Sequence, residues 1–340
     1  TKFRSKSFFN TVKAFSSSDA VTVVGTNSAA TAGSITINSI TQLATNQTIE
    51  SGTAVSRPLT TSNTVDQIIA ALKADGGDSE EAKAIGLQLD GKFKTITFDA
   101  AFWDEVDGGT GSQEENFMAA LQSRINSAFG SGSGLKVEIG TDQRLTFSAP
   151  GSKISVVSVD AGTTREDFGF SIDQSNKINL YSSLLGAGLT TTPEESSEGG
   201  YQVTINGEKF EFKQNDSLKS IIDKINASKA GVTISYSSIT DKFTMTSKTS
   251  GEGDNIVIED TGGKLMESLG LSKDKAKEVV TGQNAILTVN GQTITRGSNT
   301  FEIDGARVTL NKEVDAVNGP ITLTLKEDAS GLEDAIRKFV

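Results

Sequence analysis

Three pairs of neighbouring carboxylates, Glu80–Glu81, Glu114–Glu115 and Glu194–Glu195, are the residues whose types and spacing could do chemistry. Two carboxyls flanking one glycosidic bond can divide acid and base work between them. Neighbours in sequence point in different directions, however, and none of these pairs has the apolar surroundings that would raise one pKa. The run from Asp104 to Glu115 is acidic and glycine-rich, with the composition of a calcium loop. An EF-hand needs oxygen ligands at alternating positions and Gly at the sixth, and Val106 and Gly108 break that order. A solvated loop is expected there. Gly130-Ser-Gly-Ser-Gly134 follows a predicted helix rather than opening one, and no Lys-Ser/Thr pair follows it, so it is no phosphate loop. The chain has 0 His and 0 Cys. That removes the commonest general base near neutral pH, thiol nucleophiles and thiolate metal sites. No catalytic, metal or cofactor site is expected; an enzyme ranks behind every other class.

The elements that would have to position such groups point the same way. The 340 residues suffice for two or three domains, and a hydrophobic content of 35% with 6% aromatics implies thin cores divided among small β-rich modules. A net charge of −11, with no basic run interleaved with aromatics, argues against nucleic acid as a partner. No apolar stretch approaches the ~18 residues of a membrane span, and no signal peptide is visible. The chain starts at Thr1, and a helix opening at Gly331 places Leu332, Ile336 and Val340 on one face before the sequence stops; both ends are expected to be cuts.

The central part repeats. Val203-Thr-Ile-Asn206-Gly207-Glu-Lys-Phe210, then Leu218 to Asn226, then Gly231 to Tyr236 read as hairpin, helix and hairpin. A weaker copy lies about 100 residues earlier: Leu89-Asp90-Gly91-Lys-Phe93, a helix ending in Ile125-Asn126, and Gly134 to Ile139. Asn-Gly and Asp-Gly supply the positive φ angles of tight hairpin turns. Ile125 and Ile225 are expected to bury inward, and Asn126 and Asn226 to end their helices in a left-handed cap. Further hairpins turn at Asn290-Gly291 and Asp304-Gly305, the second beginning at Asn299. Residues 1–15, with Phe3, Phe8, Phe9, Val12 and Phe15, suit a short amphipathic helix or turn. A helix capped near Ser62 is expected to end at Gly76-Gly77, a polar insertion holding Trp103 to span 101–111, and the helix of the second copy to be capped at Asn215 or Asp216. The expected class is α+β, β-rich and multidomain. A discontinuous leg domain (1–55 and 281–340) would carry two inserted head modules, 56–188 and 189–280.

Thr204-Ile-Asn206-Gly207, Ile225-Asn226, Gly231-Val-Thr-Ile and Thr246 to Gly251 resemble the IN motif of flagellar hook-associated proteins. Gly282 to Ala285, Val289-Asn290-Gly291, Ile294 to Thr300, Ile303-Asp-Gly305 and Val308-Thr-Leu310, with Ser39 to Ala44, are similar to leg-domain segments of the flagellar filament cap family. The first copy matches only weakly. The resemblance implies a homo-oligomeric ring at the distal filament tip, under which exported flagellin folds and inserts without covalent chemistry. It also implies type III export to the cell exterior and a cytoplasmic export chaperone acting on a C-terminal part. Phe3, Phe8 and Phe9 at one end, and Leu332, Ile336 and Val340 at the other, are the candidate partner-contact residues. Two alternatives remain: a hook–filament junction protein, and a surface adhesin binding host glycan or mucin.

Overall fold

The computed structural model describes residues 11–74, 82–157, 164–171 and 174–328. From the start the chain forms β1 (Thr11–Ser16), β2 (Val21–Thr26), β3 (Gly33–Gln42), β4 (Asn46–Ser51) and β5 (Leu59–Thr64). Then come α1 (Val65–Ala74), β6 (Lys83–Leu89), β7 (Lys92–Phe98), α2 (Ala100–Asp107), α3 (Gln113–Phe129), β8 (Lys136–Ile139), β9 (Arg144–Ser148), β10 (Ile154–Val157) and α4 (Thr164–Asp167). A second series follows: β11 (Tyr201–Ile205), β12 (Glu208–Phe212), α5 (Leu218–Ala227), β13 (Val232–Ser237), β14 (Lys242–Ser250), β15 (Ile258–Gly262), α6 (Leu265–Ser268) and β16 (Ala276–Val280). The last strands are β17 (Ala285–Val289), β18 (Gln292–Arg296), β19 (Thr300–Ile303), β20 (Ala306–Leu310) and β21 (Ile321–Asp328). The architecture is β-rich with few helices.

Among the described residues, six antiparallel sheets surround three separate cores. In the first unit, sheets β10-β6-β7 and β5-β9-β8 and helices α1–α4 enclose Leu59, Ile85, Phe98, Phe102, Phe117, Leu121 and Phe147. In the second, sheets β12-β11-β15 and β13-β14-β4-β16 with α5 and α6 enclose Tyr201, Ile205, Leu218, Ile225, Phe243 and Leu265. The third is all strand. The five-stranded sheet β1-β21-β3-β17-β18 and the sheet β19-β20-β2 cover Val21, Ile37, Leu287, Val308 and Leu323. Alternation builds this last core: Ile35 and Ile37 turn inward while Thr36 and Asn38 stay half-exposed.

The first two units share one plan. A hairpin (β6–β7 or β11–β12) takes a third strand on its first member (β10 or β15). A helix (α3 or α5) then leads to a second hairpin (β8–β9 or β13–β14), whose second strand pairs with an earlier strand (β5 or β4). The short helices α4 and α6 are each followed by a positive-φ glycine, Gly169 (φ +70) and Gly270 (φ +71).

Several expectations are corrected. Residues 11–16 form an edge strand, with Val12 and Ala14 half-buried and Lys13 and Phe15 exposed, which is period two and not a helical face. Phe3, Phe8 and Phe9 lie outside the described residues, as do Gly76-Gly77 and Leu332, Ile336 and Val340. The segment around Trp103 is the helix α2: Asp99 caps it through a 2.9 Å bond from the Phe102 amide, and Phe102 and Val106 are buried. Helix α1 starts later than Ser62, because β5 runs through Thr64. Thr64 and Gln67 then exchange the two bonds of a capping box. Ser217, rather than Asn215 or Asp216, caps α5. Boundaries shift too. Strand β4 lies between β14 and β16, so 46–51 joins the second unit and not the terminal strands. Ile178, Leu184 and Ala187 also pack into the second core. The first unit is thus inserted within the second.

Candidate functional site

Three of the four Asx-Gly hairpin turns do more than reverse the chain. Asp90 (φ +48), Asn206 (φ +48) and Asn290 (φ +49) each precede a positive-φ glycine, Gly91, Gly207 and Gly291, as a type I′ turn requires. Each then brackets one residue in, or immediately before, the third strand. The Asp90 amide donates to the Lys153 carbonyl (2.9 Å) while its carboxylate accepts from the Lys153 amide (2.8 Å). Asn206 does the same to Val257 (2.9 and 2.8 Å), and Asn290 to Thr36 (2.8 and 2.9 Å). Asn206 adds bonds from Nδ2 to the Ala230 and Asn255 carbonyls (2.8 and 2.9 Å), fastening the turn to the end of the helical segment. Asp304-Gly305 also turns with positive φ (44° and 83°), but there the Gly305 carbonyl accepts from the Asn27 amide.

Bonds to Lys153 and Ser152 hold the Asp90 carboxyl below its ordinary value. A carboxyl depressed in the folded state adds stability above its unfolded pKa and loses it as pH falls through the folded value. Asp90→Asn, which restores the residue used at 206 and 290, is expected to fold normally and to flatten that acid-side loss. Urea midpoints measured from neutral to acid pH check this; an unchanged slope would count against the bracket.

Asn126 and Asn226 are not left-handed caps. Neither has positive φ, and both lie inside their helices. Asn226 reaches across to β13, where Oδ1 accepts from the Ile234 amide (2.7 Å) and Nδ2 donates to the Ile234 carbonyl (2.9 Å). In the first unit Gln122, one turn earlier, does this work. Its Oε1 accepts from the Val137 amide (2.9 Å), and its Nε2 donates to the Leu135 carbonyl and to Asn126 Oδ1 (both 3.0 Å). Ile125 and Ile225 are fully buried as expected. Asn299 makes a third clamp of this kind: its side chain accepts from the Ala44 amide (2.7 Å) and donates to the Ala44 carbonyl (2.9 Å), tying the two distant halves of the terminal unit. Sequence reading missed Gln122, and also Ser51, a buried hydroxyl that accepts from the Phe243 amide (3.0 Å) and donates to the Leu269 carbonyl (2.7 Å). A lone polar residue on a predicted helix or strand carries no signal of the backbone group it will meet.

The carboxylate pairs diverge. Glu115 closes a capping box with Ser112, while Glu114 hydrogen-bonds Asp66, raising the Asp66 carboxyl. Glu194 meets Lys264 at 3.2 Å, and Glu195 accepts from the Gly200 amide. Glu80 and Glu81 lie outside the described residues. Among those described, no group of three or more Asp or Glu gathers as metal ligands would, and no helix is long and apolar enough to cross a membrane. Thr11 pairs with Asp328 at the edge of the five-stranded sheet.

Residues 201–249 match the family model of the flagellin hook IN motif, and residues 282–340 that of the flagellar hook-associated protein 2 C-terminus. The flagellar hook-associated protein 2 of Thermotoga maritima is 32% identical over 145 residues, covering 41% of this chain and 23% of that protein. The matched part therefore spans less than a quarter of this relative. Among solved structures, the D1-D2-D3 domains of the Escherichia coli flagellar cap protein FliD align over 99% of this chain and 60% of theirs, with 18% identity and a TM-score of 0.46. Pseudomonas aeruginosa FliD (HAP2) aligns over 96% and 90%, with 15% identity and a TM-score of 0.31. The two family models fall in order on the second unit and the terminal unit and agree with the Thermotoga relative; together these likenesses support the flagellar hook-associated protein 2 family for this chain.

Proposed function

We propose that this chain is the β-rich body of a filament-cap subunit that works at the distal tip of the bacterial flagellum. The observation that carries the reading is the ordered pair of family matches, the IN motif on the second unit and the hook-associated protein 2 C-terminus on the terminal strands. In this reading the terminal unit is the leg, the first and second units are the head, and copies of the chain assemble as a ring. Flagellin leaving the filament channel folds beneath the head and inserts between legs. The role is structural; the free energy of flagellin folding drives the cap forward. Phe3, Phe8, Phe9, Leu332, Ile336 and Val340 supply contacts to flagellin or to neighbouring legs. This is supported by the pairing of Thr11 with Asp328, the described residues nearest to these positions in sequence. Export follows the flagellar type III route, with a cytoplasmic chaperone as a transient partner.

Deleting the gene in the parent organism tests the reading. The expected result is bare hooks with flagellin monomer in the medium, rescued by adding purified full-length protein. Normal filaments and motility would overturn it.

A further inference from the structure

The first and second units are joined by a neck of two chain crossings, and one buried carboxylate holds both. Asp241, only 7% exposed and at φ +56, sits at the turn between β13 and β14. Its Oδ2 accepts from the Ser56 amide (3.1 Å), and its Oδ1 accepts from the Ser56 hydroxyl (2.5 Å) and the Tyr236 hydroxyl (2.6 Å). Its own carbonyl accepts from the Val55 amide (3.0 Å). Ser56 is therefore gripped by side chain and backbone just before the chain enters the first core at Leu59. The same Ser56 hydroxyl accepts from the Ile178 amide (2.9 Å), on the segment that returns from the first unit. Behind it, residues 55–57 pair with 188–190 through Thr190 to Val55, Arg57 to Gly188 and the Thr190 hydroxyl to Ser56. On the far side, Asn176 is bonded to Ile154 and Ser152 of the first unit. Only Arg57 and Pro58 on the way out, and Lys177 on the way back, lie between the two anchored bodies.

Among the described residues, no helix or strand of the first unit makes more than marginal contact with one of the second. Interfaces without a broad packed surface leave relative motion as the default. A buried carboxylate is costly unless its lone pairs are met by donors. Here three donors converge on Asp241, two of them from Ser56. Burial and the adjacent carboxylate push the Tyr236 hydroxyl well above its ordinary value, so it remains a proton donor to Asp241.

We infer that Asp241, with Ser56 and Tyr236, is an orientation lock that fixes the first unit relative to the second in place of a packed interface. The inference does not depend on the proposed function. If that function holds, the lock makes the inserted unit a rigid extension of the head.

The chain has no cysteine of its own, so Ser127→Cys and Lys229→Cys place unique spin labels on exposed positions at the ends of corresponding helical segments. Electron–electron distance measurements on the full chain are expected to give one narrow distribution. Asp241→Ala and Ser56→Ala are expected to shift and broaden it, and Tyr236→Phe to do so less, with the amide spectra of each unit otherwise preserved. Ser56→Ala keeps the Asp241–Tyr236 bond and is the variant to rely on if Asp241→Ala does not fold. A distribution as narrow in folded Ser56→Ala as in the unmodified neck, or a broad one in the unmodified neck, would overturn the lock.

Discussion

Replacing Asn226 by Ala is expected to destabilise the second unit by about 2–4 kcal/mol, because the Ile234 amide and carbonyl both lose their partner. Ile234 is 2% exposed and pairs with Met245 on one side of β13; Asn226 satisfies the other side. Water has poor access to groups covered by α5, so each unpaired one bears a desolvation cost. For a unit of this size the midpoint should fall by roughly 10–20 °C. Asn226→Asp keeps an acceptor for the amide but faces the carbonyl with a second acceptor, and should be nearly as damaging. The readout can be assigned to a unit. The single Trp, Trp103, packs against the first core, so its fluorescence follows that unit while circular dichroism follows all three. Asn226→Ala should lower the dichroism transition and leave the Trp103 transition in place; Gln122→Ala should move the Trp103 transition. A change within about 0.5 kcal/mol for Asn226→Ala, the range of a neutral surface substitution, would show that the clamp is not structural.

Gly169→Ala and Gly270→Ala form the second test, and here the repeat predicts that two distant substitutions fail alike. At Gly169 a Cβ would lie 2.8 Å from the Ser62 Cβ and 3.0 Å from the Asn63 amide. At Gly270 it would lie 3.0 Å from the Ser51 Cβ and 3.3 Å from its Cα. Both positions have φ near +70°, which costs an L residue about 1–2 kcal/mol before any overlap. The overlap is with strand backbone and with Cβ atoms fixed to it, not with the end of a flexible side chain, and adds roughly 1–3 kcal/mol. The expected loss is about 2–5 kcal/mol each. Trp103 should report it for Gly169→Ala only. Wild-type stability in either variant would mean that the short helix is free to move off the strand it covers.

The sequence alone determined what depends on neighbours along the chain. Asx-Gly pairs fix the turn backbone, so four of the hairpins, at 90–91, 206–207, 290–291 and 304–305, lie where those pairs stand. Apolar residues at helical spacing place the buried faces of α3 and α5, with Phe117, Leu121, Ile125, Leu218, Ile221 and Ile225 inside. The ordered motifs also carried the family resemblance. The tertiary structure decided the rest. Asn226 and Gln122 differ in residue type and in helical turn, yet both satisfy a strand edge, because what matters is reach to a backbone pair brought close by packing. Residues 46–51 read as part of the terminal unit until β14 and β16 close on either side of β4. Asp241 and Ser56, 185 positions apart, have no local signature at all. Local periodicity records which face of an element is apolar; only the folded chain brings distant residues close enough to show which polar group completes which backbone.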